Sequence, residues 1–260
     1  DRFELAQELR RAVHNDELLL HFQPKVSAHD EAIMGAEALI RWQSPSRGMV
    51  SPGAFLPLIE DIGLNRWLTD FVLEKACAQM AVWDKAGLSP IPVSINVSPA
   101  DLAAADFFDK ITAALQRHGL SSNRLELEIL ETSEVSAGST VRTMLQRLRD
   151  IGVKIALDDF GTGYSSLVYL TEIPADILKL DLAFIRNLAG DMRQQGIVRQ
   201  VISLAHSLGF SIVAEGVEVP AQRDLLVNME CDLIQGFLYS RPLPPDELAA
   251  KLRGKLSIAA

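Results

Sequence analysis

Residues 125–130 read Leu125-Glu126-Leu127-Glu128-Ile129-Leu130, a strict alternation of apolar and acidic side chains. Side chains on a strand alternate between faces, so Leu125, Leu127 and Ile129 share one face while Glu126 and Glu128 share the other. The same pattern recurs at Ile91–Val97, where Val93, Ile95 and Val97 oppose Ser94 and Asn96. It recurs again at Lys154–Asp159, where Ile155 and Leu157 oppose Lys154, Ala156 and Asp158. Five more runs read as strands: Leu18–Val26, Ile33–Arg41, Ile177–Asp181, Ser211–Gly216 and Leu233–Tyr239. Amphipathic segments of helical length lie between most of them, among them Asn65–Ala86, Asp106–His118, Ser139–Asp150 and Gln194–Ser207. Alternating strands and helices argue for parallel βα units. Eight strands in 260 residues fit a (β/α)8 TIM-like barrel better than the competing doubly wound sheet. Only Ser27 to Ala32 separates the first two strands, too short for a parallel crossover of a dozen or more residues. The first strand is therefore expected to run antiparallel to the rest.

Composition agrees with a folded single domain: 48% hydrophobic, 23% charged and 6% aromatic residues, with no Pro/Gly/Ser-rich linker. We expect one domain over 1–260, its core at about 3–253. Because the first residue is Asp1 rather than Met, a piece of a longer multidomain protein is expected, with any membrane anchor or sensor in the remainder. No run reaches the length of a membrane span, so direct membrane contact by this domain is not expected. Two cysteines, Cys77 and Cys231, form neither a disulfide framework nor a paired metal motif, which favours a reducing, cytoplasmic location. A net charge of -9 argues against a DNA or RNA duplex as partner.

A polar residue stands on every expected strand: Gln23, Glu37, Asn96, Glu128, Asp158, Lys179, Glu215 and Gln235. Barrel interiors are normally packed with branched apolar side chains, and barrel enzymes place their chemistry at the C-terminal ends of the strands. Crowding Glu37, Glu128, Asp158, Asp159 and Glu215 at one mouth is strongly repulsive unless divalent cations sit among them. Oxygen donors without His or Cys favour Mg²⁺ or Mn²⁺ over zinc, and with Asn96 the six potential ligands suggest two ions, as used for in-line displacement at phosphorus. The side chains are expected to point into a solvated mouth. Taken singly, each residue has a plainer reading. A Glu at a strand end is commonly a solvated charge, Asn96 before Ser98-Pro99 is compatible with turn chemistry, Arg41-Trp42 with an interface pair, and Glu126 with an ion pair to Lys154. Gly161-Thr162-Gly163 is a short glycine turn, and the five histidines show neither ligand nor triad spacing.

The ordered motifs resemble the EAL-domain family of cyclic di-GMP phosphodiesterases along nearly the whole chain. They comprise Phe22-Gln23-Pro24, Glu37-Ala38-Leu39-Ile40-Arg41-Trp42, Asn96-Val97-Ser98, the acids Glu128 and Glu131, and Asp158-Asp159-Phe160-Gly161-Thr162-Gly163-Tyr164-Ser165-Ser166-Leu167. Lys179-Leu180-Asp181, Ala214-Glu215-Gly216-Val217-Glu218 and Gln235-Gly236-Phe237 follow. The resemblance implies that Glu37, Asn96, Glu128 and Asp158 bind a first metal, with Asp158 bridging to a second held by Asp159 and Glu215. It implies that Lys179 orients the attacking water, and that Gln23, Arg41 and Gln235 contact the ligand. Glu131 is implied as anchor of the loop after Asp159, and Glu218 as an acid behind the ligands. Leu130 stands where the family usually has Thr, and Phe237 is a mild change of the usual aromatic. The implied activity is hydrolysis of cyclic di-GMP with two Mg²⁺ or Mn²⁺ ions, Ca²⁺ inhibiting, in a homodimer. A non-catalytic cyclic di-GMP receptor is the alternative, and a barrel enzyme acting on another phosphate or enolate is a more remote one.

Overall fold

The computed structural model describes residues 2–130, 139–160 and 167–254, without the side chains of 167–169. Strands β1 (Leu18–Ser27), β2 (Ile33–Ser44), β3 (Gly48–Val50), β4 (Val93–Val97), β5 (Leu125–Leu130), β6 (Lys154–Phe160), β7 (Ile177–Leu180), β8 (Ser211–Ala214) and β9 (Leu233–Ile234) form one sheet in the order β1-β9-β8-β7-β6-β5-β4-β2-β3. A β1–β2 pairing closes it into a barrel. β1 is antiparallel to both neighbours, as the short first connection requires, and the pairs from β2–β4 round to β8–β9 are parallel. The three-residue β3 hairpins outside the barrel onto β2. No helix among the described residues is long and apolar enough to cross a membrane.

Alternation works as the sequence indicated. Val93, Ile95, Val97, Leu125, Leu127, Ile129, Ile155 and Leu157 are buried in the main core. That core also holds the apolar faces of helices 107–118 (Phe107, Ile111, Leu115) and 139–150 (Val141, Met144, Leu148). The other face of the strands lines the barrel, and there the apolar content is small. Ala156, Ile177 and Val213, with Leu233 beside them, make a separate cluster. Each lies two positions before a site residue: Asp158, Lys179, Glu215 and Gln235. They are the plug on which half of the site rests.

Three strands stop earlier than expected. β7 stops at Leu180 because Asp181 caps the next helix, its Oδ1 accepting from the Ala183 backbone N–H. β8 stops at Ala214. β9, expected to run to Tyr239, stops at Ile234. Beyond it the chain folds against Val217, whose N–H donates to the Gln235 carbonyl while its own carbonyl accepts from Leu238 N–H. The apolar run reads as strand in the sequence, but Leu238 and Tyr239 are buried as part of a turn.

Candidate metal centre

Gln23, Glu37, Asn96, Glu128, Asp158, Lys179, Glu215 and Gln235 form a ring at the C-terminal end of the parallel strands. Lys179 is its hub. Its Nζ lies 2.6 Å from Glu128 Oε2, 2.8 Å from Glu215 Oε1, 3.1 Å from Asp158 Oδ1 and 3.7 Å from Glu37 Oε2. On the β1–β2 side, Gln235 Nε2 donates to Glu37 Oε2 at 2.7 Å and to Gln23 Oε1 at 3.0 Å. Gln23 in turn donates to the Ser240 carbonyl, and Asn96 Nδ2 donates to Glu37 Oε1 at 3.0 Å.

The expectation of a solvated mouth needs correction. Asn96 is exposed, but Glu37, Glu128, Asp158, Lys179 and Gln235 are buried. The walls of a closed barrel keep water from the ring even though its top is open. Burial therefore dominates the electrostatics. It pushes the Glu37 carboxyl up, helped by repulsion from Glu128 and opposed by Lys179 and Lys25. Burial, with repulsion from Asp158, Glu37 and Glu128, pushes Glu215 up to about 8 against the pull of Lys179. Glu128 behaves oppositely: burial works against its charge, yet Lys179 and Lys25 outweigh it and hold the carboxyl well below the usual range. Lys179 is likewise held charged, because its four carboxylates outweigh its burial.

Asp158 and Asp159 are neighbours on a strand, and alternation alone would send them to opposite faces. The backbone departs from the strand at that point. Asp159 has φ 55°, in the left-handed region that costs a non-glycine residue about 1–3 kcal/mol. The β6–β7 register shifts between Leu157 and Phe160, and the Asp159 N–H donates to Asp158 Oδ1. The outcome is that single oxygens of Asp158, Asp159 and Glu215 all lie within 4.8 Å of one another. Burial and the nearby Asp158 and Asp181 push the Asp159 carboxyl up.

These donors fit hard divalent cations. They are oxygens only, they are crowded, and Gln235 Oε1 is a buried acceptor without a hydrogen-bond partner among the described residues. Arg41 stands half-buried two positions beyond Leu39 on the site face of β2, its Nη1 donating to the Ile40 carbonyl. Trp42, on the opposite face, is fully buried and donates to Glu17, so Arg41-Trp42 is not an exposed interface pair. Glu218 is exposed, with its backbone N–H on Gln222 Oε1. Glu131 and residues 161–166 of the glycine loop lie outside the described residues.

The residue that sequence reading missed is Lys25. It is 1% exposed and ion-pairs with Glu126 at 2.8 Å and Glu128 at 2.9 Å. The sequence suggests Lys154 as the partner of Glu126, but Lys154 lies half-exposed near Asp176. The signal was available: Lys25 lies two positions from Gln23, on the same face of β1.

Gly236 fixes Gln235. A Cβ on Gly236 would stand far inside contact distance of the Val217 backbone N and O. Gly236→Ala should therefore lower stability by about 2 kcal/mol or more and displace Gln235. Thermal denaturation checks this, and an unchanged melting temperature would show that the turn yields freely.

A family model described as the EAL domain matches residues 6–242. The bifunctional diguanylate cyclase/cyclic di-GMP phosphodiesterase MucR of Pseudomonas aeruginosa is 40% identical over 252 residues, which are 97% of this chain and 37% of MucR. The cyclic di-GMP phosphodiesterase NbdA of the same organism is 39% identical over 250 residues, 96% of this chain and 32% of NbdA. The chain thus spans only about a third of the length of these relatives. The solved structure of the PaMucR phosphodiesterase in complex with c-di-GMP is similar with a TM-score of 0.89 at 41% identity, covering 94% of this chain and 99% of that one.

Proposed function

The chain belongs to the EAL domain family, and from that membership we propose that it is a metal-dependent phosphodiesterase opening cyclic di-GMP to linear 5′-pGpG. The observation that carries this reading is the convergence of Glu37, Glu128, Asp158 and Glu215 on Lys179, with Asp159 turned into the same cluster. With every acid ionised, the six carboxylates of Glu37, Glu126, Glu128, Asp158, Asp159 and Glu215 face two ammonium groups, Lys25 and Lys179. Four negative charges remain, the charge that two divalent cations neutralise.

Glu37, Asn96, Glu128 and Asp158 would hold one cation, Asp158 being shared with a second held by Asp159 and Glu215. Such ions, Mg²⁺ or Mn²⁺, lower the pKa of a bound water and screen the phosphate charge. The chain supplies the rest. Lys179 and Glu215, 2.8 Å apart at the centre of the ring, would hold the attacking water in line with the leaving 3′ oxygen. Gln235 would lie beside the second cation and the scissile phosphate, Gln23 would contact the ligand, and Arg41 would meet the dinucleotide phosphate with a charge-assisted bond. Glu131 would anchor the loop after Asp159. We further propose a cytoplasmic homodimer as the working form.

Purified protein, cyclic di-GMP and Mn²⁺, followed by chromatography, tests the proposal: linear product is expected. Cyclic di-GMP bound but returned intact would favour the receptor alternative instead. Ca²⁺ prefers a larger, looser coordination than Mg²⁺. It should occupy the centre and inhibit in competition with Mg²⁺. Sustained turnover with Ca²⁺ as the sole divalent ion would refute this.

A further inference from the structure

One layer below the ring lies the buried pair Lys25–Glu126, which enters the reading above only through its charge. Lys25 Nζ donates to Glu126 Oε2 and to Glu128 Oε1. Glu128 is thereby gripped at both oxygens, since its Oε2 accepts from Lys179 at 2.6 Å. The two grips differ. Lys179 divides its charge among four carboxylates at the open end of the barrel, whereas Lys25 serves two on the closed floor. An apolar pair of similar volume commonly serves stability as well as a buried ion pair, or better. The far side of the same layer is filled in that way, by Ala156, Ile177, Val213 and Leu233. Holding the barrel together is therefore a poor account of Lys25.

We propose that Lys25, with Glu126 as its counter-ion, is a positioning residue that ties back Oε1 of Glu128, so that Glu128 offers a cation only Oε2 and the centre favours small octahedral ions over Ca²⁺. The proposal rests on the reading of Glu128 as a metal ligand. A carboxylate with both oxygens available can clasp Ca²⁺, which tolerates bidentate ligands, while Mg²⁺ demands near-octahedral geometry. With Oε1 on Lys25, such a clasp leaves a buried ammonium short of a partner.

The double variant Lys25→Met/Glu126→Gln removes the tie without changing the net charge of the site. MnCl₂ and CaCl₂ are each titrated calorimetrically into metal-free wild type and variant, without substrate. Removing a group that orients a metal ligand typically costs roughly 10–100-fold in affinity. Mn²⁺ should lose on the order of tenfold or more, while Ca²⁺ loses little or gains, so the Mn²⁺/Ca²⁺ preference shrinks by about the same factor. Parallel losses for both ions, no change for either, or a variant that does not fold would each overturn the proposal and leave Lys25 a structural residue. Glu126→Gln alone keeps Lys25 on Glu128 and should retain the wild-type preference; its loss would also overturn the proposal. Wild-type protein that takes up neither ion would overturn the metal-centre reading itself, and this proposal with it, a result distinct from the others.

Discussion

Asp158→Ala protein saturated with Mn²⁺ should hydrolyse cyclic di-GMP roughly a thousandfold more slowly than wild type, or worse. Asp158 stands in both halves of the site. It lies 3.1 Å from Lys179, clusters with Asp159 and Glu215, and accepts the Asp159 N–H that helps hold the left-handed turn. Its loss removes the proposed shared ligand and loosens Asp159 as well. A metal centre supplies several kcal/mol of charge stabilisation in the transition state, and each 1.36 kcal/mol is about tenfold in rate. The fold should survive, though not because the side chain is solvated. Removing one acid relieves repulsion in a ring that already carries surplus negative charge. Chromatographic turnover and thermal denaturation measured together decide the matter: turnover within tenfold of wild type in a folded, metal-supplied variant would contradict the two-cation reading.

Lys179→Ala should be nearly as damaging to turnover and far more damaging to the metal-free fold. Removing one partner of a buried ion pair typically costs about 3–5 kcal/mol, and here four carboxylates lose their shared cation. Added Mn²⁺ should refill that charge, so the rise in melting temperature on adding metal should exceed the rise in wild type. If Lys179 orients water rather than substrate, kcat falls by on the order of a hundredfold or more while KM moves only a few-fold. Arg41→Ala should do the reverse. Arg41 makes no salt bridge among the described residues and feels Glu37 only at longer range, so its loss removes a contact with the phosphate while disturbing the ring little. Identical kinetic patterns in the two variants would show that the roles are assigned wrongly.

Much of the architecture is legible in the sequence, and the reason is local. Period-two alternation is a property of the extended backbone itself. Leu125–Leu130 alone therefore told which side chains face the helices and which face the barrel. The short Ser27–Ala32 connection alone dictated an antiparallel first strand. The same alternation placed at least one polar side chain of each barrel strand on the inner face, and these supply most of the ring.

What the tertiary structure decided is how that inner face is neutralised and where alternation fails. Asp159 joins Asp158 only because the backbone breaks register and takes a positive φ, a strain that the Asp-Asp dipeptide does not announce. Leu238 and Tyr239 look like strand residues, yet they belong to a turn pressed against Val217. Glu126 is the sharpest case. Its neighbour in register on β6 is Lys154, but its partner is Lys25, 101 positions away in the chain. Lys154 sits at the open start of its strand, where water and Asp176 satisfy it. Lys25 is sealed inside the closed barrel and must find a carboxylate there. Alternation fixes which way a side chain points, but only closure of the barrel sets which buried charges meet and which are left without water.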